Sequence, residues 1–535
     1  MKILLVVPRY MLSNKKNYEY MFPLGLGYIS SALKQAGHDV FCLNLNHFDG
    51  TVEFVLTSAL NKNKYDIVAT GHIGIGYAVI EKILNTAKNH PSKPKTILGG
   101  ALVTSEPKLI FESLKPNIAV LGEGEITIVE LLNCLEKKKD LKEIKGIMYW
   151  DNGKAVFTKP RELIGDLDSI PFPDFEGLGF EEQLENMSAY EIFDYPRTYP
   201  ILCSRGCPFN CTFCYHCLGI KYRTRSIDKV IGELRGAIKK YKINIINIYD
   251  DLFSINKERL YDFCKKIKKL IEEISWECKW TCQLSVHNVD REMLETLKGV
   301  GCYSISYGFE SYSPRVLKSM KKPITPQQID NAIKLTREYG FDIRGGFIFG
   351  DIAETKETAK ETLDYWKKKC KGLIGLAFIQ PYPGSEIYNH CVKKGIIKDR
   401  LNFIKNNLSH RNWLNMTDKM SDEEILQLKE EILNARRKYS RYIIPLKIKK
   451  DNKNKNKNRY NLLVKCPFCN EKRVYKNCPI NNRFHYFLRV CCKDCMNCLP
   501  LASPLYKFGM LHYHKLDFLR IRYLFIRDNI LKKRL

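Results

Sequence analysis

The 535-residue chain is predicted to be an α/β protein. A doubly wound parallel sheet comes first, then a (β/α)6 partial barrel, a helical segment and a small cysteine-rich domain. Three observations support this. Short apolar runs alternate with helical patterns over the first 130 residues, and again from about residue 199 to 383. The Pro- and Asp-punctuated stretch "PRELIGDLDSIPFPDF" (Pro160–Phe175) separates the two regions. Five of the twenty cysteines crowd into Cys203–Cys217, and a second group lies near the end of the chain.

In order, "KILLVVP" (Lys2–Pro8) is a continuous apolar run, as a strand buried on both faces should be. "PLGLGYISSALKQAG" (Pro23–Gly37) reads as a helix with Gly37 at its C-terminal cap. "VFCLNL", "YDIVATG", "KTILGG" and "NIAVLGEGE" supply strands two to five. Ligands of such sheets lie beyond the carboxyl ends of the strands. Those ends carry Gly71-His72, Gly99-Gly100 and Gly122-Glu123-Gly124, where glycines would let a large flat ligand approach the backbone. The second region offers "YPILC", "INIINIYDD", "KWTCQLS", "YSISYGFES", "IRGGFIFG" and "GLAFIQPYPG" as barrel strands. The active site of such a barrel lies at the strand C-termini. "SDEEILQLKEEILNARRKYSRYI" (Ser421–Ile443) is a helix opened by a Ser421/Glu424 capping box. The expected divisions are 1–145, a connector 146–190, the barrel 191–415, a helical extension 416–446, a Lys/Asn linker 447–460 and the tail 461–535.

Hydrophobic residues make up 44 % and aromatics 11 %, enough for ordinary cores. "MKILLVVP" is too short for a signal-peptide core, and no apolar run reaches eighteen residues. A cytoplasmic protein with reduced thiols is expected, which favours metal or cluster ligands over disulfides. The net charge is +28, and residues 447–535 hold 22 Lys/Arg against 5 Asp/Glu. This reflects either a Lys/Asn-rich composition or an anionic partner such as lipid head groups or nucleic acid.

Cys207, Cys211 and Cys214 form C-x3-C-x2-C directly after the first barrel strand, at the catalytic mouth. Three thiolates there can hold three irons of a [4Fe–4S] cluster and leave the fourth open. A closed zinc site is the alternative, with Cys203 or Cys217 as fourth ligand. Both are otherwise packing residues. Arg223 and Arg225 could hold an anion or form solvated ion pairs.

"CPFNCTFC" after a strand resembles the signature of the radical S-adenosylmethionine enzymes. That resemblance implies S-adenosylmethionine chelated to the open iron and cleaved to a 5′-deoxyadenosyl radical. It further implies cofactor contacts from Phe213, from Asp250 and Asp251 in "YDD", from Glu310 and Ser311 in "GFES", and from Gly346 and Gly350 in "GGFIFGD". "ILGGALVTSEP", "LGEGEITIVELL" and the connector "GIMYWDNGKAVFTKPRELIGDLDSIPFPD" resemble the cobalamin-binding branch of that family. This branch includes anaerobic magnesium-protoporphyrin ester cyclases and hopanoid methylases, and the likeness covers roughly residues 1–415. It implies cobalamin at Gly71, His72, Gly99, Gly100, Gly122, Glu123 and Gly124. Many cobalamin proteins carry Asp-x-His-x-x-Gly after strand one, whose His ligates cobalt. Here that loop has no His. His47 follows strand two with Leu45 in the Asp position, so no protein histidine is expected on cobalt.

The tail carries Cys466-x2-Cys469 and Cys492-x2-Cys495, the spacing of a zinc ribbon. Cys491 and Cys498 offer alternative pairings, and a second cluster is the rival occupant. The tail is expected to need metal to fold, and to cover the barrel mouth or present basic surface. The expected function is a radical methylase acting on an unactivated carbon. A radical oxidative cyclase is the alternative, and an RNA-modifying methylthiotransferase a distant third. The expected partners are a small-molecule or lipid substrate and a low-potential donor such as flavodoxin or ferredoxin, with nucleic acid disfavoured.

Overall fold

The computed structural model describes residues 1–501 except 11–12, 73–75, 188–191, 194, 254, 371, 409–413, 440, 452–458 and 481–488, and beyond them 516, 519, 522, 523 and 526. The first sheet has seven strands: β1 (Lys2–Val7), β2 (Asp39–Asn44), β3 (Ile67–Gly71), β4 (Lys95–Gly99), β5 (Ile118–Val120), β6 (Ile147–Asp151) and β7 (Lys154–Phe157). Their order is β2-β1-β3-β4-β5-β6-β7; the first five are parallel and the last two antiparallel. This is a doubly wound sheet whose strand order reverses between β1 and β3, and a ligand crevice opens there. Residues 147–157 were expected to begin the connector. They form a hairpin that extends this sheet instead, because Ile147 and Met148 are apolar and fully buried against it.

Both sheet faces are covered. Leu4, Val6, Val68 and Leu98 pack with Ile80, Ile83 and Leu84 of the helix Tyr77–Asn89 on one side. Ile3, Leu5, Ile97 and Val120 pack with Leu131 and Leu132 on the other. Burying each such aliphatic side chain contributes about 1.5–3 kcal/mol.

The second region holds β8 (Thr198–Ile201), β9 (Ser204–Arg205), β10 (Arg223–Thr224), β11 (Ile245–Ile248), β12 (Lys279–Leu284), β13 (Cys302–Glu310), β14 (Asp342–Phe349) and β15 (Gly375–Phe378). Strands β8, β11, β12, β13, β14 and β15 pair in sequence order and in parallel, giving the six-stranded partial barrel. Its core is continuous with the connector. Phe22, Phe175, Phe180, Tyr199 and Tyr241 form an aromatic cluster in which Phe22 and Phe175 stack at 4.5 Å. The helix Asp422–Tyr439 begins with the expected capping box. The Ser421 amide donates to Glu424 Oε2 at 2.8 Å, and the Glu424 amide to Ser421 Oγ at 3.2 Å.

The tail contains β16 (Pro445–Lys450), β17 (Arg459–Lys465), β18 (Lys472–Pro479), β19 (Arg489–Cys491) and β20 (Cys498–Pro500). Both ends of the expected Lys/Asn linker are therefore strands, since β16 and β17 pair antiparallel. Among its described residues the tail packs at the other end of the barrel from the mouth. Cys491 and Cys498 pack against Ile245 and Tyr303, at the beginnings of β11 and β13, and the Cys498 amide donates to Asp342 at the first residue of β14. Strand beginnings form the base of the barrel, opposite the catalytic end. An apolar contact surface on β19 and β20 places the tail there.

Candidate functional site

The loop after β8 is pinned by backbone hydrogen bonds. The Thr212 amide donates to Met320 O, the Ile387 amide to Thr212 O, and the Cys214 amide to Cys211 O. Gly206 has φ +82°, and a Cβ there would lie 2.4 Å from Lys221 O, so the loop can open only on glycine. Cys207, Cys211 and Cys214 face a cavity of about 200 Å³ with Phe209, Phe213, Asp251, Gln283, Glu310 and Lys322. Burial pushes the Cys207 thiol up. Cys211 is drawn down by its hydrogen bond with Cys214 and by the Lys322 charge, while the same hydrogen bond and burial push Cys214 up.

Lys322 escaped sequence reading. Its Nζ lies 3.0 Å from Glu310 Oε1 beside the thiols, so it offsets negative charge there. Glu310 reaches this place because β13 shifts register between Gly308 and Glu310, where Glu310 takes φ +59°.

Not all the expected cofactor residues meet. Phe213, Asp251 and Glu310 border the cysteine cavity. Asp250 points away: its carboxylate accepts from the Cys203 amide at 2.7 Å and Ser204 Oγ at 2.6 Å, and burial raises it to about 7. Ser311 is also turned away and buried, with Oγ 3.1 Å from Thr362 Oγ1. Asp250 lies past the end of β11 and Ser311 just past the end of β13, and their own hydrogen bonds hold them away from the cavity that Asp251 and Glu310 border. Gly346 lies in mid-strand beside Gly308 and Gly375, and the Gly350 amide is turned to Glu354, 3.3 Å away. Neither borders that cavity.

A second cavity, of about 770 Å³, opens at the β1/β3 crevice and runs into the barrel lumen. Gly71, His72, Gly99, Gly100, Gly122, Glu123 and Gly124 all line it, as do Cys217 and the barrel residues Asn247, Thr281, Gln283, Ser304 and Arg344. Gly25 and Gly122 line it too, and a Cβ on either would meet no protein atom within 4 Å. At these two positions the rim is bare backbone, which leaves room for a broad planar ligand. Gln283 borders both cavities.

His47 is engaged elsewhere. Its Nε2 lies 2.8 Å from the Tyr20 hydroxyl and its Nδ1 2.9 Å from Glu182 Oε2, and it does not line the cavity. Arg223 and Arg225 are not solvated. Arg223 Nη1 donates to Glu123 Oε2 at 2.7 Å, and Arg225 Nη2 pairs with Glu233 at 2.7 Å, all four side chains being at most 6 % exposed. Glu123 therefore joins the two sheets rather than presenting its charge to a ligand. It also accepts from Arg205 at 2.9 Å and from the Ile164 amide at 2.8 Å, while Arg205 pairs with Glu125 at 2.6 Å. Burial alone would raise the Glu123 carboxyl, but the two guanidiniums outweigh it and hold the group below its ordinary value. Cys203 is fully buried packing, as expected.

In the tail, the ligand sulfurs of Cys466, Cys469, Cys492 and Cys495 all lie within 4.8 Å of one another. Cys466 faces Cys495 and Cys469 faces Cys492, each at 3.6 Å. Cys491 and Cys498 stay in the strands. Four converging thiols suit zinc.

A three-cysteine loop at a partial-barrel mouth, facing a glycine-rimmed crevice on a doubly wound sheet, defines a cobalamin-binding radical S-adenosylmethionine enzyme. The chain matches the radical SAM superfamily over residues 201–365 and the B12 binding domain over residues 15–132. It is 32 % identical over 405 residues to the "uncharacterized methyltransferase PH0819" of Pyrococcus horikoshii, spanning 74 % of this chain and 84 % of that protein. It is 26 % identical to the cytidylyl-2-hydroxyethylphosphonate methyltransferase of Streptomyces wedmorensis, over 74 % of this chain and 82 % of that one. The fold matches that of TsrM from Kitasatospora setae, a radical S-adenosylmethionine methyltransferase solved with cobalamin and a [4Fe–4S] cluster. The TM-score is 0.60 at 17 % identity, covering 73 % of this chain and 76 % of that one. The chain belongs to this family of cobalamin-binding radical S-adenosylmethionine enzymes. Its cofactors are accordingly a [4Fe–4S] cluster, S-adenosylmethionine and cobalamin, and the tail cysteines fit zinc. Radical enzymes of this kind act on small molecules and need a reductant. Among the described residues no helix is long and apolar enough to cross a membrane.

Proposed function

We propose that this enzyme transfers a methyl group to an unactivated carbon of a small-molecule substrate. The observation that supports the reading is that Gln283 borders both the cysteine cavity and the glycine-rimmed cavity. A substrate beside Gln283 would have the cysteine mouth on one side and the crevice on the other. The cofactors supply a 5′-deoxyadenosyl radical and a methyl group; the chain supplies position. Cys207, Cys211 and Cys214 are assigned to the cluster, Phe213, Asp251 and Glu310 to S-adenosylmethionine, and the glycine rim to cobalamin. Cys466, Cys469, Cys492 and Cys495 are assigned to zinc. The methyltransferase names of two relatives support the same reading.

The enzyme is placed in the cytoplasm with a flavodoxin- or ferredoxin-like donor. Leu516, Leu519, Tyr523 and Ile526 are exposed at helical spacing in a Lys/Arg-rich stretch, which supports contact with an anionic membrane surface. The test of the function is anaerobic incubation of reconstituted enzyme and reductant with S-adenosylmethionine. A methylase of this kind forms both 5′-deoxyadenosine and S-adenosylhomocysteine. Formation of 5′-deoxyadenosine alone would favour the oxidative cyclase and overturn the proposal.

A further inference from the structure

The cysteine loop is backed on its outer side by one layer of chain. The Thr212 amide, one residue past Cys211, donates to Met320 O at 3.0 Å, and Thr212 O accepts from the Ile387 amide at 2.9 Å. Phe213 packs with Val316, Met320, Ile387 and Cys391. A Cβ at Gly384 would lie 2.4 Å from the Tyr215 ring, so the chain entering the second of these segments presses on the loop. The layer consists of the helix Pro314–Ser319 with the turn after it, and the helix Glu386–Lys393. Lys321 Nζ joins the two through Glu386 Oε2 at 2.6 Å.

This layer is more basic than the rest of the barrel wall. Residues 314–322 hold Arg315, Lys318, Lys321 and Lys322 and no acid, and residues 386–394 hold Lys393 and Lys394 against Glu386 alone. Other barrel helices are balanced. Arg291–Gly299 sets Glu292 and Glu295 against Arg291 and Lys298, and Pro326–Glu338 sets Asp330 and Glu338 against Lys334 and Arg337. The high net charge of the chain therefore does not account for the bias. Within the layer, Lys322 is turned inward to Glu310, Lys321 holds Glu386, Arg315 stands near Glu357 and Lys394 near Asp418. Lys318 and Lys393 are exposed and hold no ion pair among the described residues. Lys393 lies two turns beyond Glu386 on the same helical stripe, and Lys318 three residues before Lys321. The two ammonium groups thus stand on the two segments that the Lys321–Glu386 bridge joins.

We propose that this layer is the docking face for a small acidic one-electron carrier, the reductant that the cysteine site requires. The proposal rests on the functional reading above, in which Cys207, Cys211 and Cys214 hold the cluster, and adds where the electron enters. The carrier is oxidised by one electron, and the site held by the thiols is reduced by it. Electron-transfer complexes are small and transient, so surface charge governs how readily they form. The tail is also basic, but it packs at the base of the barrel, the end away from the thiols. A carrier bound there would have the whole barrel between it and the cysteines.

The test uses the full-length chain, reconstituted anaerobically with cluster and cobalamin, and flavodoxin, an acidic one-electron carrier, as the probe. Binding of fluorescently labelled oxidised flavodoxin is followed by anisotropy. Formation of 5′-deoxyadenosine is assayed with reduced flavodoxin and, separately, with titanium(III) citrate. K318E/K393E should weaken flavodoxin binding about fivefold or more, the scale of two surface ion pairs turned repulsive, and raise its KM in step. K268E/K269E makes the same charge change on the helix Lys257–Glu272 and should leave both values within about twofold of wild type. Added salt should weaken wild-type binding and shrink the difference between the variants. With titanium(III) citrate K318E/K393E should match wild type, because a small reductant needs no docking face. Failure of wild type to bind flavodoxin, or equal binding by K318E/K393E and K268E/K269E, overturns the proposal. If circular dichroism shows K318E/K393E unfolded, K318Q/K393Q decides: binding weaker than wild type supports the face, and equal binding overturns it. If titanium(III) citrate drives 5′-deoxyadenosine formation and flavodoxin binding ignores Lys318 and Lys393, this inference falls alone; if wild type forms none with titanium(III) citrate, the functional reading falls.

Discussion

Replacing Glu123 by Gln should loosen the joint between the two sheets by about 3 kcal/mol. Glu123 is 2 % exposed and receives Arg205, Arg223 and the Ile164 amide. Removing one partner of a buried ion pair costs about 3–5 kcal/mol, because the remaining charge is left uncompensated. The lower end applies, since Arg205 keeps Glu125 and Arg223 keeps the Ile164 and Leu218 carbonyls. The Ile164 amide is a reporter built into the joint. A loss of about 3 kcal/mol in local opening energy speeds its hydrogen exchange roughly a hundredfold. Exchange mass spectrometry of the connector, wild type against E123Q, measures this directly. Acceleration of less than about threefold around residue 164 would refute the argument, because the joint would then be held by packing alone. Glu123 has a depressed folded pKa, so its contribution is full above the unfolded carboxyl value of about 4.3 and is lost as pH falls through the lower folded value.

Cys211→Ala should abolish 5′-deoxyadenosine formation, whereas Cys203→Ala should retain it; activity in C211A would remove the cluster assignment. Because both ring nitrogens of His47 are engaged, electron paramagnetic resonance of the cobalt(II) holoenzyme should show no histidine nitrogen splitting, and splitting that vanishes in H47A would contradict this. Metal analysis should find one zinc per chain. Cys469→Ala should lose it and lower the Tm, while iron in its place would point to a second cluster. Burial raises Asp250 to about 7, so its protonated form stabilises fully below about pH 4 and that contribution fades as pH rises through about 7. The Tm of D250N should gain on wild type across that window, and parallel curves would exclude the effect.

What could be read from the sequence was local. The C-x3-C-x2-C loop and the two C-x2-C pairs are fixed by spacing within a few residues, and the structure places them as spacing requires. The seven rim residues follow from strand ends in a doubly wound sheet, and all line one cavity. Orientation was the part the sequence did not carry. Asp250 and Ser311 sit one position from Asp251 and Glu310, but in the turns after β11 and β13 their hydrogen bonds to Ser204 and Thr362 take them elsewhere, which a sequence does not show. Arg223 could be read only as an anion holder or a solvated ion pair, because its partner Glu123 is 100 residues away. Lys322 had no signal, since it is brought to the thiols by the turn after the helix Pro314–Ser319. The tail's position was equally invisible: its zinc spacing says nothing about which end of the barrel its apolar side fits.

That position ties manufacture of the enzyme to metal supply. Chains fold from the N-terminal end as they are made, so β8 to β15 are complete before β19 and β20 emerge. During that interval Ile245 and Tyr303 at the barrel base lack the part of their cover that Cys491 and Cys498 supply. Cys491 and Cys498 flank the Cys492/Cys495 pair, so an ion closing the four thiols would fix that cover in place. Zinc shortage would then reduce how much enzyme survives synthesis, rather than how fast each finished molecule turns over.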